Sequence, residues 1–325
     1  MTLDGLNVLV TGGTGTFGHA FVAAVLAEHD PRRLIVFSRD ELKQHDMRQL
    51  HPDVGDSPMR YFIGDVRDRD RLERAFQGVD LVVHAAALKQ VPVCEYNPFE
   101  AVQTNVNGTK NVIDAAIDQQ VGRVLQISTD KAVNPVNLYG ATKLCAEKIV
   151  VQGNAYAAES GTKLSASRYG NVIGSRGSVV PLFQEQAKNG QLTITDPRMT
   201  RFWITIEQGV RFVLRCIELM RGGEIFVPKV PSMKLLDLAA SLAPGCETKV
   251  VGIRPGEKLH EVLVSEDEAR HAFELEDMYV IEPAAHPWYE DDPWAGAKRV
   301  AEGFRLSSDA NDTWLTSDDL MRLVG

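Results

Sequence analysis

The first 170 residues alternate short apolar runs with longer amphipathic stretches. The runs are apolar nearly throughout and do not alternate with polar residues, as in strands that are buried on both faces. They predict strands at 7–12, 34–38, 60–65, 81–86, 123–128 and 164–170, and the stretches between them predict helices at 16–29, 40–50, 68–77, 98–119 and 138–159. This alternation predicts an α/β fold with a parallel sheet that helices cover.

The pattern changes after residue 170, where Gly and Pro become frequent and the elements become shorter. One further amphipathic helix is predicted at 206–221, followed by a strand at 224–228. Two domains are therefore predicted, with these bounds: 1–170 plus about 206–227 for the first, and 171–205 plus about 228–325 for the second, smaller one.

Composition narrows the range of functions. The chain has 325 residues, a net charge of −9 and a pI of about 5.4, and an acidic chain of this kind does not favour nucleic-acid binding. Its four cysteines are far apart and form no CxxC pair, so we expect reduced thiols and no metal site. No apolar run approaches the ~18 residues of a membrane span, and the N-terminus does not resemble a signal peptide. We therefore expect a cytoplasmic protein without a membrane partner.

The segment VTGGTGTFG (10–18) joins the first predicted strand to the first predicted helix. Its glycines allow a tight turn and let a pyrophosphate approach the backbone, while the helix N-terminus offers N–H groups to the phosphates. A GxGxxG motif is weak evidence alone, but its place between strand and helix strengthens it. It predicts a Rossmann-like, doubly wound sheet that binds a dinucleotide, with a smaller C-terminal α/β domain for the substrate. The cofactor residues predicted here are Gly12, Thr14, Gly15, Thr16, Phe17 and Gly18.

The end of the second strand discriminates NAD from NADP, because a carboxylate at this place binds the ribose 2′-hydroxyl of NAD. Here Ser38 and Arg39 occupy the turn and Lys43 follows, and a guanidinium pairs well with a 2′-phosphate. Asp40 and Glu41 argue for NAD, although acids also suit the first turn of a helix. The balance favours NADP. Further cofactor contacts are predicted at Asp65, Val66, Ala85, Ala86, Lys89 and Asn105.

Tyr139 and Lys143 lie four residues apart on the predicted helix 138–159, so they share one helix face. Only about one tyrosine in 10³ is ionised at pH 7, and a nearby ammonium favours the phenolate. Tyr139 is therefore a candidate base for a sugar or alcohol hydroxyl, with Thr129 as its hydrogen-bond partner. Lys143 would also hold the nicotinamide ribose.

Several ordered blocks resemble extended short-chain dehydrogenases/reductases that act on nucleotide sugars. The carrying blocks include TGGTGTFG (11–18), HAAALK (84–89), STDKAVNPVNLYGATK (128–143), RYGNVIGSRGSVVPLF (168–183) and RPGEKLHE (254–261). The match is closer still to the inverting UDP-N-acetylglucosamine 4,6-dehydratases of bacterial pseudaminic acid synthesis, over about residues 7–265. The resemblance implies UDP-N-acetylglucosamine as the substrate, tightly bound NADP and a homo-oligomer.

The triplet Thr129-Asp130-Lys131 departs from the Thr-Asp-Glu of the related dehydratases that keep the C5 configuration. By resemblance, Tyr139 starts C4 oxidation, Asp130 protonates the departing C6 hydroxyl, and Lys131 takes the C5 proton. A neutral lysine at pH 7 costs about 4.6 kcal/mol, so Lys131 could instead remain cationic and stabilise the enolate. We favour the role of base for Lys131.

The resemblance also implies the substrate contacts. Arg201 and Arg254 match positions that hold the diphosphate, and Glu257 matches an acid that receives the uridine ribose. Asn171 matches a position where an amide meets the sugar diphosphate, and Lys89, at the mouth of the fourth strand, is expected near both the cofactor and the sugar. Three alternatives remain: a UDP-sugar 4-epimerase, a dehydratase that retains the C5 configuration, and a non-catalytic NADP-sensing protein. The last would be expected to lose the Tyr139–Lys143 pair.

Overall fold

The computed structural model describes residues 2–175, 178–284, 288, 294 and 296–324. The strands are β1 (Asn7–Thr11), β2 (Arg33–Ser38), β3 (Met59–Ile63), β4 (Leu81–His84), β5 (Arg123–Ile127), β6 (Lys163–Ser167), β7 (Asn171–Val172), β8 (Gln191–Ile194), β9 (Thr200–Ile204), β10 (Ile225–Pro228), β11 (Ser232–Lys234), β12 (Glu247–Val250), β13 (Val262–Val264), β14 (Ala272–Glu274), β15 (Met278–Ile281), β16 (Lys298–Arg299) and β17 (Leu306–Ser307).

The helices are α1 (Thr16–Glu28), α2 (Glu41–Leu50), α3 (Arg69–Phe76), α4 (Val91–Tyr96), α5 (Pro98–Val102), α6 (Gly108–Asp118), α7 (Leu138–Tyr156), α8 (Val179–Ala187), α9 (Ile206–Leu219), α10 (Leu235–Leu242), α11 (Glu266–Ala269) and α12 (Ser317–Val324), with a π-helical turn at Gln103–Asn107 and a 3-10 turn at Asp130–Ala132. Within the described ranges, no helix combines the length and apolar character needed to cross a bilayer.

Seven parallel strands form the centre of the large sheet, in the order β3-β2-β1-β4-β5-β6-β10. Every residue of β1 and β4 is buried, which agrees with their mainly apolar sequence. The strand order reverses between β1 and β4, and ligands of such sheets bind in the crevice at the carboxyl ends of the strands around this point. The predicted α/β, doubly wound fold is confirmed.

The large sheet continues beyond β10 with β15, β14 and β16, each antiparallel to its neighbour. These strands lie in 272–299, which the sequence assigned to the smaller domain. They cover the edge of β10, whose N–H and C=O groups would otherwise be open to other chains. The remaining strands form three small sheets, β11-β9-β7, β12-β8 and β13-β17. A second apolar cluster, which includes Phe183, Trp203 and Leu238, lies among them.

The single helix predicted at 98–119 is three consecutive pieces, namely α5, the π-helical turn and α6, and α4 precedes them. Prolines near the starts of α4 and α5 favour separate helices, because Pro lacks the amide N–H that a continuing helix needs. Asn105 in the π-helical turn accepts a hydrogen bond from the Leu88 N–H and donates to the Leu88 carbonyl and to Thr142 Oγ1. The turn therefore supports the loop that follows β4.

A buried arginine joins the large sheet to the C-terminal part of the chain. Arg168 follows β6 and donates five hydrogen bonds, which reach both carboxylate oxygens of Glu147 on α7, both of Glu268 on α11, and the Leu263 carbonyl in β13. Arg168 and Glu147 are almost fully buried. All five donors of the guanidinium are thus satisfied away from water.

We expect Arg168→Met to lower the free energy of unfolding by about 3–5 kcal/mol, because it leaves Glu147 buried without the guanidinium that pairs with both of its carboxylate oxygens. Denaturant unfolding measures this change. Arg198→Met is the matched control: Arg198 pairs with Asp196, but its own side chain is 69% exposed. It should alter the stability little. Equal stability of the two variants would contradict the role given to Arg168.

The end of β4 also carries a buried histidine. The ring nitrogens of His84 lie 2.8 Å from Thr11 Oγ1 and 3.1 Å from Thr109 Oγ1. Burial, assisted by the charge of Lys143, lowers the pKa of His84 to about 3. The folded protein therefore keeps His84 neutral.

This histidine makes the folded state acid-sensitive. The unfolded chain has a histidine pKa of ~6.5, so the stabilisation is complete above that pH and is lost as the pH falls toward about 3; at pH ~5 the loss is about 2 kcal/mol. His84→Gln should reduce the difference in unfolding free energy between pH ~7 and ~5 by about that amount. His45→Gln, at an exposed position on α2, should leave the difference unchanged.

Candidate active site

A cavity of about 670 Å³ opens at the carboxyl ends of the parallel strands, on both sides of the reversal between β1 and β4. Most of the residues predicted to bind the cofactor line it: Gly12, Thr14, Gly15, Thr16, Phe17, Ser38, Arg39, Lys43, Asp65, Val66, Ala85, Ala86, Lys89, Tyr139 and Lys143. The structure thus brings together side chains from five segments that are far apart in the sequence.

The glycine loop passes close to the backbone that follows β4. Gly12 has φ +65°, and a Cβ there would lie 2.9 Å from the Cα of Ala86. No side chain caps the first turn of α1, and no acidic residue lies in that turn. The amide N–H groups and the positive end of the helix dipole are therefore available to an anion, which fits the pyrophosphate of a dinucleotide.

Two predicted cofactor residues are absent from the cavity lining. A Cβ at Gly18 would overlap the backbone of Gly13, so Gly18 allows α1 to pack closely on the loop. Asn105 is buried behind the cavity, where it holds the loop at Leu88. Both residues shape the site from outside, and a direct contact with a nucleotide stays a prediction for them.

Both signs of charge meet at the end of β2. Arg39 is 57% exposed and its Nη1 lies 3.6 Å from Asp65 Oδ2, while Lys43 Nζ lies 2.7 Å from Asp40 Oδ2. Asp40 also caps α2 by accepting a hydrogen bond from the Lys43 N–H. Because Asp40 already serves this cap, its presence is explained without a ribose contact.

α7 carries Tyr139 and Lys143 into the cavity, and Asn137 caps its N-terminus by accepting from the Gly140 N–H. Lys143 Nζ donates to the Ile127 carbonyl at 2.6 Å. Burial lowers the pKa of Lys143 to about 8. Burial also raises the pKa of Tyr139 to about 12, against the opposing effects of Lys131 and of a hydrogen bond with Thr129. The phenol is therefore protonated in the free protein.

Lys131 lies between two carboxylates. Its Nζ is 3.0 Å from Asp130 Oδ1 and 3.5 Å from Glu261 Oε1, and it also lies 3.5 Å from Asn171 Oδ1. Burial disfavours the ammonium, but Asp130 and Glu261 outweigh this effect and raise the pKa of Lys131. The geometry therefore favours a cationic Lys131 in the free protein.

Asp130 is fully buried beneath this lysine. Its Oδ1 accepts from Lys131 and, at 2.9 Å, from Thr129 Oγ1, whereas its Oδ2 has no hydrogen-bond partner. Burial, with the charge of Glu261, raises the pKa of Asp130, although Lys131 opposes the rise. A carboxyl group in such a place holds a proton more readily than an exposed aspartate.

The predicted substrate residues fall into two groups. Lys89 and Asn171 line the cavity. Arg254 and Glu257 lie outside its lining on the loop before β13, where Arg254 is 59% exposed. Arg201 donates to the backbone carbonyls of 258 and 259 and so holds this loop.

Sequence reasoning missed Glu261 and Lys258 as members of the site. Glu261 is 3% exposed, and Lys258 Nζ lies 3.7 Å from its Oε2 and donates to the Val133 carbonyl at 2.6 Å. Both residues belong to the block RPGEKLHE, but no local pattern marks them as neighbours of Lys131. No cluster of three or more potential metal-ligand side chains occurs in the described part of the chain.

Comparison with known proteins agrees with this geometry. A Campylobacter jejuni protein named UDP-N-acetylglucosamine 4,6-dehydratase (inverting) is 49% identical, over 98% of this chain and 97% of that protein. A Rickettsia canadensis protein named UDP-glucose 4-epimerase is 44% identical, over 85% of this chain and 82% of that protein. The X-ray structure of Pen from Bacillus thuringiensis is 40% identical, with a TM-score of 0.89, over 100% of this chain and 99% of that chain.

The family of polysaccharide biosynthesis proteins matches residues 8–283, which is most of the chain. The relatives above extend the similarity over nearly all of the remainder. The resemblance inferred from the sequence blocks is confirmed, and the chain belongs to the polysaccharide biosynthesis protein family.

Proposed function

We propose that this protein is an inverting UDP-N-acetylglucosamine 4,6-dehydratase, which converts its substrate into a UDP-4-keto-6-deoxy-L-hexosamine. The observation that carries the proposal is the ion pair of the buried Asp130 with Lys131, which lines the same cavity as Tyr139 and Lys143. The near full-length similarity to the Campylobacter jejuni dehydratase supports it.

The cofactor that we propose is NADP. The uncapped first turn of α1 would hold the pyrophosphate, Arg39 and Lys43 would hold the 2′-phosphate beside Ser38, and Lys143 would hold the nicotinamide ribose. When bound, the nucleotide supplies a hydride acceptor and donor inside the cavity. The chain itself supplies the acids and bases.

Tyr139 takes the proton of the C4 hydroxyl as C4 is oxidised, and for this its phenol must first lose its own proton to solvent. Burial opposes formation of the phenolate, whereas Lys131 and Thr129 favour it. The new C4 ketone acidifies the proton on C5. A base then removes that proton, the C–H electron pair forms the C5=C6 double bond, the C6–O bond breaks, and the departing oxygen takes a proton to leave as water.

Asp130 and Lys131 share the protons of this elimination. Transfer of one proton from Lys131 to Asp130 converts the ion pair into a neutral amine, which is a base, and a carboxylic acid, which is a donor for the C6 oxygen. Because burial raises the pKa of Asp130, this neutral form is more accessible than it would be at the surface. Hydride would return to C6 from the bound nucleotide, and a proton from water that reaches C5 from the face opposite to Lys131 gives the inverted product.

A UDP-sugar 4-epimerase is the second candidate, because a protein named as one is 44% identical. An epimerase needs Tyr139 but not the pair of Asp130 and Lys131. Proton NMR of wild-type protein with UDP-N-acetylglucosamine in D₂O separates the two: a C6 methyl signal means dehydration, and a retained C6 hydroxyl means epimerisation.

A homo-oligomer, a cytoplasmic location and a place in pseudaminic acid synthesis remain predictions.

Two substitutions should divide the reaction into its steps. Tyr139→Phe should abolish C4 oxidation, so neither reduced nicotinamide nor a C6 methyl group forms. Lys131→Met should still permit C4 oxidation, so that reduced nicotinamide accumulates while dehydration falls by about 10²–10⁴-fold. Absorbance of the reduced nicotinamide and proton NMR measure the two steps. Lys148→Met, at an exposed position on α7, should retain both. Normal dehydration by Lys131→Met would overturn the mechanism.

Arg39→Ala should weaken NADP binding by about 10- to 100-fold, because it removes a charge-assisted contact with the 2′-phosphate. The affinity for NAD should change much less. Calorimetry on protein freed of nucleotide measures both constants. Arg33→Ala, at the exposed opposite end of β2, is the matched control and should change neither. An equal loss for NAD and NADP would refute the assignment of NADP to this site.

A further inference from the structure

Glu261 is a buried carboxylate that lies far along the sequence from the 3-10 turn Asp130–Ala132, here called the catalytic turn, and it contacts that turn. Its Oε1 lies 3.5 Å from Lys131 Nζ and 3.9 Å from Arg201 Nε, and its Oε2 lies 3.7 Å from Lys258 Nζ. Burial acts to raise the pKa of Glu261, but the three cations outweigh it and hold the pKa below the ordinary value. Glu261 is therefore a negative charge fixed beside Lys131.

The backbone of Glu261 is held by the C-terminal tail. Its N–H donates to Ser308 Oγ at 2.9 Å, and its carbonyl accepts from the Ser308 N–H at 2.9 Å. Ser308 Oγ lies 2.7 Å from Thr200 Oγ1 on β9. Residues just after β17, for which the sequence predicted no specific role, thus fix the place from which Glu261 reaches the catalytic turn.

We propose that Glu261 is a positioning residue for the elimination step. Its carboxylate holds the Lys131 ammonium beside Asp130, and the pair thereby retains the proton that the departing C6 oxygen needs. This inference rests on the proposed function. Glu261 does not itself exchange a proton with the sugar. It acts through Lys131, and its negative charge disfavours the ionised form of Asp130.

The charged and titratable groups that act on this cluster come from several elements. They are Asp130 and Lys131 on the 3-10 turn, Tyr139 on α7, Arg201 on β9, and Lys258 on the loop before β13. Glu261 raises the proton affinity of Asp130 and Lys131, whereas Lys258 lowers that of Lys131. Removal of Glu261 and removal of Lys258 therefore have opposite electrostatic consequences.

Glu261→Gln keeps the size of the side chain and removes its charge. We expect reduced nicotinamide to form at a rate close to that of the wild type. Its decay and the formation of the C6 methyl product should slow by about 10²-fold, and KM should change little. The alkaline limb of the decay rate should move to lower pH by about 1 unit, because the pair loses its proton more readily. Glu261→Asp, which keeps the charge, should restore part of the rate.

Lys258→Met removes a positive charge from the same cluster, so its electrostatic effect should be opposite to that of Glu261→Gln. It also tests the proposal if Glu261→Gln does not fold. It should move the alkaline limb of the decay rate to higher pH, which a purely structural loss would not do. Wild-type pH dependence in both variants, or a shift in the same direction, would overturn the role of Glu261. Absence of a C6 methyl product with the wild-type protein would instead reject the proposed function, so the two failures are distinguishable.

Discussion

The buried guanidinium of Arg168 connects the two parts of the molecule that build the site. It contacts Glu147, which lies one helical turn after Lys143 on α7, and Glu268, which lies just beyond the segment that carries Glu261. Removal of charges from water is unfavourable, so such a cluster exists only where every donor finds an acceptor. This requirement fixes the distance between α7 and the start of α11, and it thereby fixes how the C-terminal segment meets α7.

Burial acts in opposite directions on the two functional groups of α7. It raises the pKa of Tyr139 to about 12 and lowers that of Lys143 to about 8, since it favours the neutral form of each. Lys131 departs from this rule because Asp130 and Glu261 lie beside it and outweigh burial. The cavity therefore combines a protonated phenol, a lysine whose pKa is lowered (Lys143) and a lysine whose pKa is raised (Lys131). A hydride transfer followed by an elimination needs groups that differ in this way.

Local patterns were sufficient for the residues whose role depends on their own segment. The glycine loop, the end of β2 and the Tyr139–Lys143 pair were predicted because turn geometry, strand ends and helical spacing place them without long-range information. The prediction was less complete where a role depends on packing. Asn105 supports the loop at Leu88 from behind the cavity, and the helix around it divides at prolines and at a π-helical turn. Strands β14 to β16 join the large sheet because an open edge lies there, which is a property of the assembled sheet.

By itself, the sequence determined the doubly wound fold, the crevice for a nucleotide and the helix that carries the tyrosine and lysine, because the periodicity of apolar residues and the conformational freedom of glycine are local properties. Only the tertiary structure decided the electrostatic surroundings of Lys131. The carboxylate of Glu261 is 130 residues away in the chain but 3.5 Å away in space. Charge–charge energies depend on separation and burial, and neither quantity is encoded in the order of residues along a segment.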